Sequence, residues 1–406
     1  MKIFSILFCL IGVLFSGCQN DQDPVVEKEE FTLKSLELIE QTGDFSWDFF
    51  KTMNRLEEQG KNLVVSPLSV TQAFGMAING ATGENLTEML NVIGFDNTDG
   101  MNAAYKNIRG ALSTADPKVT IGIANSAWYR QDYAIKETFF QSLESYYDAQ
   151  VTGLDFNNKP AAIKTMNDWV NAKTRGKIPS IVENISDENI LFLINAVYFY
   201  GTWAHKFDVA STVDAPFYLS NGSTVQVKMM AQEAGFEMFY GENFTALRAP
   251  YANGSFAMNI LLPDENVTVN EVVESLDSEV WSQMRSGQGL QTMRLFFPRF
   301  KTECSYDLIP GLQKLGMQRA FSDVTGFHNI ADDEIVISEV KHKTFIEVDE
   351  KGTEAAAVTS IGYETSSLPP QATIFRVDRP FVFVISEKVS GAVLFAGKIE
   401  NPLQVK

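Results

Sequence analysis

The chain has 406 residues, 45% of them hydrophobic and 21% charged, which is the composition of a globular protein with a large core. It contains 33 Lys and Arg against 51 Asp and Glu, a formal charge of −18, and such an acidic surface repels the phosphate backbone of nucleic acid. Three Cys and three His are too few for a disulfide framework or structural zinc sites, so we expect no metal and no cofactor.

The N-terminal segment has the pattern of an export signal. Lys2 precedes an apolar run from Ile3 to Phe15, which is too short to span a bilayer but suits a signal peptide. The small residues before Cys18 resemble a bacterial lipobox, in which Cys18 becomes the lipidated first residue. We therefore predict a lipoprotein-type signal peptide over 1–17 and a lipidated N-terminus and tether over 18–42. An ordinary secretory signal with an incidental cysteine is the alternative.

These features predict an exported protein. With a lipid on Cys18 it would be a membrane-anchored lipoprotein of the cell envelope, facing either the periplasm or the cell surface. Without the lipid it would be extracellular. Contact with a membrane is expected only through that N-terminal lipid.

The first half of the remaining chain is rich in predicted helices. Apolar residues recur at helical spacing over Phe45–Glu57, and the run Val70–Ile78 indicates a buried helix. Thr120–Tyr129 is typical of a strand, and Leu191–Tyr200 is typical of a strand buried on both faces.

Strands dominate the second half, where alternating segments are joined by Gly-containing turns. Glu334–Glu350 is predicted to be one long alternating strand, and two further strands follow Arg379. Helices concentrated before strands argue for an α+β protein. We predict a single domain over 43–406.

Between the last strands lies a long segment, 351–378, without a clear element of its own. Loops of that length in compact domains are usually functional or disordered. Its first part, Gly352–Ser360, has small and mostly uncharged side chains, so it could enter a sheet as a central strand. An Ala-rich helical turn is the alternative, and composition does not separate the two.

At this point the chain resembles a known family. The residues Glu350 to Ala357 (EKGTEAAA) look like the hinge of an inhibitory serpin. Further matches occur in order along the chain: NLVVSPLS from Asn62, NDWVNAKTRGKI from Asn167, NAVYFYGTWAHKF from Asn195, HKTFIEVDE from His342, RPFVF from Arg379 and LFAGKIENP from Leu394. The resemblance implies the serpin fold, with three β-sheets, eight to nine helices and an exposed reactive-centre loop at about 352–378.

The resemblance also implies a mechanism. A target protease attacks the loop and forms an acyl-enzyme, the cleaved loop inserts into the main sheet, and the trapped protease is distorted before water can release it. This role would make the protein a serine protease inhibitor and not an enzyme. The hinge residues would be Glu350, Gly352, Thr353, Glu354, Ala355, Ala356, Ala357 and Val358.

Counting along the family pattern predicts the attacked bond. Fourteen residues after Gly352, and fourteen before Pro380, both lead to Ser366, so the predicted bond is Ser366–Ser367. Because such loops slip by a few residues, Tyr363, Thr365 and Leu368 remain alternatives. No Lys or Arg lies between Gly352 and Phe375, which disfavours trypsin-like targets. A small residue at the bond favours an elastase-like or subtilisin-like protease, whereas Tyr363 or Leu368 would favour a chymotrypsin-like one.

The resemblance assigns a second group of residues to the gate of the main sheet, called the shutter and the breach. Among them, His342 would be a hydrogen-bond hub and Trp203 would lie where the hinge first enters. The positions are Ser66, Ser69, Asn195, Trp203 and His342.

Two other functions compete with protease inhibition. A Ser-His-Asp hydrolase is disfavoured because none of the three histidines stands near a Gly-x-Ser-x-Gly turn. A non-inhibitory serpin that acts as a binding module is the stronger alternative, but such members usually carry Pro or charge in the hinge. The expected partner is a target serine protease in a covalent acyl complex, with cysteine proteases also accessible to the same trap. The protein is expected to be a monomer.

Overall fold

The computed structural model describes residues 28–287, 289–353 and 372–405. Within these ranges there are nine α-helices and two short 3-10 helices. The α-helices are α1 (Leu33–Leu56), α2 (Pro67–Ile78), α3 (Gly83–Ile93), α4 (Thr98–Thr114), α5 (Glu137–Tyr147), α6 (Lys159–Lys173), α7 (Val269–Ser275), α8 (Ser278–Ser286) and α9 (Ile309–Lys314).

The described residues also form fifteen strands. They are β1 (Leu63–Val65), β2 (Val119–Arg130), β3 (Gln150–Leu154), β4 (Leu191–Thr202), β5 (Val213–Tyr218), β6 (Thr224–Tyr240), β7 (Phe244–Tyr251), β8 (Phe256–Pro263), β9 (Leu290–Pro298), β10 (Phe300–Asp307), β11 (Lys341–Val348), β12 (Gly352–Thr353), β13 (Thr373–Arg376), β14 (Phe381–Glu387) and β15 (Val393–Ile399).

Hydrogen bonding connects the strands into two networks. The larger has the order β1-β15-β14-β8-β7-β6-β9-β13, with β5 also paired to β6. The long strand β6 changes partners along its length: it pairs first with β5, then with β9 and finally with β7. Divided at β6, this network gives two sheets, and the smaller network is the third. The α+β class and the predicted fold, with three sheets and nine helices among the described residues, are confirmed.

The smaller network is a six-stranded sheet with the order β10-β11-β12-β4-β2-β3. Strand β12 is antiparallel to both of its neighbours, β11 and β4. The two strands that flank it therefore run parallel to each other. Since β12 has only two residues, it touches β4 and β11 at one end of the sheet.

Three sequence-based boundaries differ from the structure. Helix α1 begins at Leu33, where the Thr32 hydroxyl accepts a hydrogen bond from Ser35 N–H, so part of the predicted 18–42 tether belongs to the folded body. Strand β11 covers only Lys341–Val348 of the predicted 334–350 strand, because its partner β10 ends at Asp307, opposite Lys341. Strand β4 is only partly buried: Ile194 and Ala196 are buried in the cluster under α6, whereas Leu193, Asn195 and Val197, on the face towards α2, are half-buried.

The core lies between the sheets and the helices that surround α2. One large cluster of buried apolar side chains joins α1, α2 and the strands of the larger network, and a smaller one lies under α6 around Trp128 and Met166. Among the described residues, no helix is both long and apolar enough to cross a bilayer. The packing leaves one end of the six-stranded sheet, around β12, as the place where the hinge meets the body.

Candidate functional site

The hinge enters the six-stranded sheet through a tight turn after β11. In β11 the side chains of His342, Thr344, Ile346 and Val348 point inward, as the alternation predicts. The chain then reverses at Asp349, whose carboxylate accepts hydrogen bonds from the N–H groups of Lys351 (2.9 Å) and Gly352 (3.3 Å). The reversal places Gly352 and Thr353 between β4 and β11, with Thr353 opposite Val348 and Gly201.

Gly352 is required at the first inserted position. A Cβ atom built on it would lie 2.0 Å from the carbonyl oxygen of Gly201 and 2.6 Å from the Cα of Thr202. Its φ of +157° is also one that residues with a side chain rarely adopt. The backbone of β4 therefore approaches the hinge more closely than any side chain would permit.

Thr353 is buried by an aromatic pair. Its hydroxyl lies 2.6 Å from that of Tyr251, and the Tyr251 ring stacks on Trp203 with centroids 4.5 Å apart. Trp203 also holds the reversal at Asp349 in place. Its indole N–H donates to the carbonyl of Asp349 (2.9 Å), and its backbone N–H donates to the carbonyl of Lys351 (2.8 Å). Burial raises the pKa of Tyr251, so its hydroxyl stays protonated and able to donate.

Glu350 is a buried carboxylate at the same turn, with 3% of its surface exposed. One of its oxygens accepts from the guanidinium of Arg299, with Nε at 2.7 Å, and from the hydroxyl of Thr212. Burial alone would raise the pKa of Glu350, but these hydrogen bonds and the Arg299 charge outweigh it and hold the pKa below its ordinary value. Charge-assisted bonds thus fix the turn to Arg299, which lies between β9 and β10, and to Thr212, which lies just before β5.

A second polar cluster lies deeper, beneath the gap between β4 and β11. The backbone N–H of Ser66 donates to Nε2 of His342 at 3.0 Å, and the Ser66 hydroxyl donates to the carbonyl of Leu394 at 2.6 Å. Because His342 is fully surrounded, burial lowers its pKa to about 4. The imidazole is neutral at physiological pH, with Nε2 as the acceptor.

The cluster continues across the sheet through amides. The Ser69 hydroxyl donates to the Asn195 side chain, which donates to that of Asn125 at 2.6 Å, and Asn125 donates to the carbonyl of Tyr147 at 2.7 Å. Asn125 and Asn195 are paired residues of β2 and β4. The chain of bonds therefore connects α2 to two neighbouring strands and to the end of α5.

Below the inserted residues, the part of the chain that the structure describes leaves β4 and β11 without a strand between them. Among the described residues, β12 is the only strand between β4 and β11. A cavity of about 400 Å³ lies between α2, the start of β4 and the segment 334–342, with Ser69, Asn195 and His342 on its wall. Its other lining residues are mainly apolar, among them Phe74, Ile194 and Phe327.

The structure thus brings the predicted residues together in two places. Glu350, Gly352, Thr353 and Trp203 meet at the end of the sheet, and the remaining gate residues, Ser66, Ser69, Asn195 and His342, meet beneath the gap. The rest of the predicted site lies outside the described residues: the hinge positions Glu354 to Val358, the candidate bond residues Tyr363 to Leu368, and Cys18.

Sequence reasoning missed four residues of the site. Tyr251, Arg299 and Thr212 contact the hinge from distant parts of the chain, and no local pattern marks them. Asn125 could have been noticed, because an amide within an otherwise apolar strand usually has a buried polar partner.

A comparison with protein-family models matches residues 40–402 to Serpin, described as serine protease inhibitor. The chain belongs to the serpin family. Serpins are typically inhibitors of proteases and not enzymes themselves. The match covers all nine helices and the sheets described above, apart from the first residues of α1.

Individual serpins are similar over nearly their whole length. The leukocyte elastase inhibitor of Equus caballus is 31% identical over 373 residues, covering 88% of this chain and 97% of that protein. The thermophilic serpin tengpin, solved in its native state, superposes with a TM-score of 0.83 and is 30% identical, covering 93% of this chain and 96% of tengpin. Human thyroxine-binding globulin, solved with thyroxine, superposes with a TM-score of 0.82 at 27% identity, covering 91% and 100%.

Proposed function

We propose that this serpin inhibits extracellular serine proteases by covalent trapping, with the segment after Thr353 as bait. The protease would cleave the segment and become acylated, and the freed strand would insert between β4 and β11. The observation that supports this proposal most directly is the position of Gly352 and Thr353, which already pair with both flanking strands. Continuation of that strand is the movement that the mechanism requires.

The free energy available from insertion is large. The fifteen residues from Gly352 to Ser366 would span about 50 Å as an extended strand. At about 1 kcal/mol net per ladder hydrogen bond, a central strand of this length gains on the order of tens of kcal/mol as an upper bound. This exceeds the stability of a typical folded domain, so the uncleaved protein would be held by a kinetic barrier.

We further propose that the attacked bond is Ser366–Ser367 and that the target is elastase-like or subtilisin-like. A small side chain at the bond fits the shallow pocket of such proteases. Similarity to a leukocyte elastase inhibitor agrees with this class without identifying the protease. Attack at Tyr363 or Leu368 instead would indicate a chymotrypsin-like target.

The same proposal extends to the site of action. A lipid on Cys18 would hold the inhibitor at the cell envelope, where it could protect surface proteins from proteolysis. Globomycin, which blocks lipoprotein signal cleavage, should then cause accumulation of an unprocessed precursor. Cys18→Ser should release the protein from membranes. An unaltered protein that is soluble, and that is processed normally in the presence of globomycin, would instead be an ordinary secreted serpin.

The decisive experiment is incubation of the mature chain with pancreatic elastase, neutrophil elastase, subtilisin, chymotrypsin and trypsin. A complex that survives denaturing electrophoresis is the expected result for at least one protease, and the mass of the released C-terminal peptide places the bond. A Ser366→Pro variant serves as the control, since it should block attack at the predicted bond. Cleavage by every protease without any complex would leave two explanations, a target outside this panel or a serpin that has lost inhibition.

A binding module that no longer inhibits is the second candidate. It would leave the loop outside the sheet after cleavage, so cleavage would not change the melting temperature. The trap predicts a sharp rise in melting temperature after cleavage, because the sheet gains a strand. The thermal melt therefore distinguishes the two candidates even when the physiological protease is absent from the panel.

A further inference from the structure

Four side chains share the solvent face of β9 and β13. The parallel register places Ile374 beside Arg294 and Arg376 beside Phe296, while Leu295 and Phe375 between them face the core. Ile374 is 59% exposed and adds apolar surface to this face. We call Arg294, Phe296, Ile374 and Arg376 the Phe296 patch.

Both arginine side chains of the patch pack against one aromatic ring, that of Phe296. The Arg376 guanidinium carbon lies 3.8 Å from the centroid of Phe296, and that of Arg294 lies 5.3 Å away. Neither guanidinium forms an ion pair or a hydrogen bond with the side chain of another described residue, although Glu233 stands opposite Arg294 in β6. Stacking on a ring orients a guanidinium but leaves its charge and its N–H donors available.

This local charge stands out against the rest of the molecule. The chain carries 51 acidic and 33 basic residues, so most of its surface repels an acidic partner. A partner with acidic side chains is therefore attracted at the patch and repelled elsewhere, which favours one docking orientation. Arginine is also enriched in interface hot spots, and here it stands beside the half-buried ring of Phe296 and the exposed Ile374.

The patch is close along the chain to the predicted point of attack. Strand β13 begins at Thr373, six residues after Ser367, and six extended residues span at most about 20 Å. A protease domain of about 240 residues is roughly 45 Å across. A protease engaged at Ser366–Ser367 would therefore reach the patch with the surface beside its substrate cleft.

From these observations we infer that the Phe296 patch is a second contact surface for the target protease, and that it fits a protease with acidic and apolar side chains beside its cleft. This inference rests on the proposed function, because it concerns the protease that attacks the loop. The patch would raise the association rate and select among proteases that accept the same residue at the bond.

The test separates docking from trapping. Elastase, subtilisin and chymotrypsin, each with its active-site serine replaced by alanine, are the probes, and their association rates and dissociation constants are measured at 50 mM and 500 mM salt. The variant Arg294→Glu/Arg376→Glu is compared with Lys106→Glu/Lys314→Glu, which makes the same change in net charge at exposed positions on α4 and α9. Matching circular dichroism melts show that both variants are folded.

For the probe that the unaltered chain binds best, the patch variant should associate at least tenfold more slowly at 50 mM salt. The difference should shrink at 500 mM salt, where charges are screened, and the control should stay within about twofold. Arg294→Lys/Arg376→Lys should retain much of the association rate.

Equal effects in patch and control variants, or no docking of any probe to the unaltered chain, would overturn the inference. Covalent complexes with the active proteases are scored separately, so a chain that docks but never traps contradicts only the proposed function.

Discussion

The hydroxyl oxygens of Thr353 and Tyr251 lie 2.6 Å apart, in a buried position where β12 enters the six-stranded sheet. Tyr251 belongs to the other strand network, at the end of β7. The first inserted side chain of the hinge is therefore tied to a strand outside its own sheet. This bond fixes the hinge before any protease arrives.

That bond should be measurable by a double-mutant cycle. Tyr251→Phe and Thr353→Val each leave one buried hydroxyl without a partner, which costs about 1 to 3 kcal/mol. Both changes together remove the pair, so the double variant should lose much less than the sum of the single variants. Urea denaturation of the uncleaved protein gives the three values. Additive losses would mean that the two hydroxyls act independently.

A charge at the first inserted side chain should convert the inhibitor into a substrate. Thr353 is 2% exposed, so Thr353→Arg places a guanidinium in a buried position, and insertion becomes slow relative to hydrolysis. The gel assay should show more cleaved inhibitor and less covalent complex. Thr353→Ser keeps the hydroxyl and is the matched control. Undiminished complex formation by Thr353→Arg would contradict insertion as the mechanism.

The Glu350–Arg299 pair should respond unequally to loss of its two members. Arg299→Ala leaves a buried carboxylate with only Thr212, whereas Glu350→Gln leaves an arginine that is 40% exposed and can be rehydrated. We expect Arg299→Ala to destabilise the uncleaved protein more, by about 1 to 3 kcal/mol at pH 7.

The pH dependence of that loss is specific. In the unaltered protein the pKa of Glu350 is lowered, so its contribution is present above its ordinary pKa and is lost as the pH falls. Without Arg299 burial should raise that pKa, so the deficit of Arg299→Ala should shrink between pH 7 and pH 4. Urea denaturation at the two pH values tests this. A deficit that is constant with pH would contradict the argument, and Glu350→Gln provides the control.

Stability should also depend on His342. Its pKa is lowered to about 4 by burial, whereas the unfolded chain has the ordinary value near 6.5. The unfolded state thus binds more protons between these values, so stability is complete above pH 6.5 and falls as the pH drops towards 4, by at most about 3 kcal/mol. In His342→Gln, which retains an acceptor for the Ser66 N–H, this part of the pH dependence should disappear. The same slope in both proteins would contradict the assignment.

Local patterns were sufficient for most of the fold. The alternation of His342 to Val348 predicted the inward face of β11. The Gly-containing turns predicted between the later strands include those at Gly222 and Gly254, and both glycines have positive φ. Where prediction failed, long-range pairing was the reason. Residues 334–340 alternate as a strand does, but β10 stops opposite Lys341 and gives them no partner.

Only the part of the candidate site that stands in local sequence motifs was predictable. Family motifs located Glu350 and Trp203, since those residues stand within recognisable local sequences. Their partner Arg299 lies between β9 and β10, and their partner Tyr251 is the last residue of β7. Only the folded chain shows that these two residues meet the hinge. Hydrogen-bond partners far apart in sequence are set by topology, which composition and spacing do not encode.

Trp203 stacks on Tyr251 and donates its indole N–H to the turn that begins the hinge. Indole emission depends on the polarity and mobility of the groups around the ring, so this tryptophan is a built-in optical reporter of the seated hinge. The other four tryptophans of the chain can be replaced by phenylalanine to isolate the fluorescence of Trp203. The molecule can then be observed in real time while the hinge moves, without an attached dye.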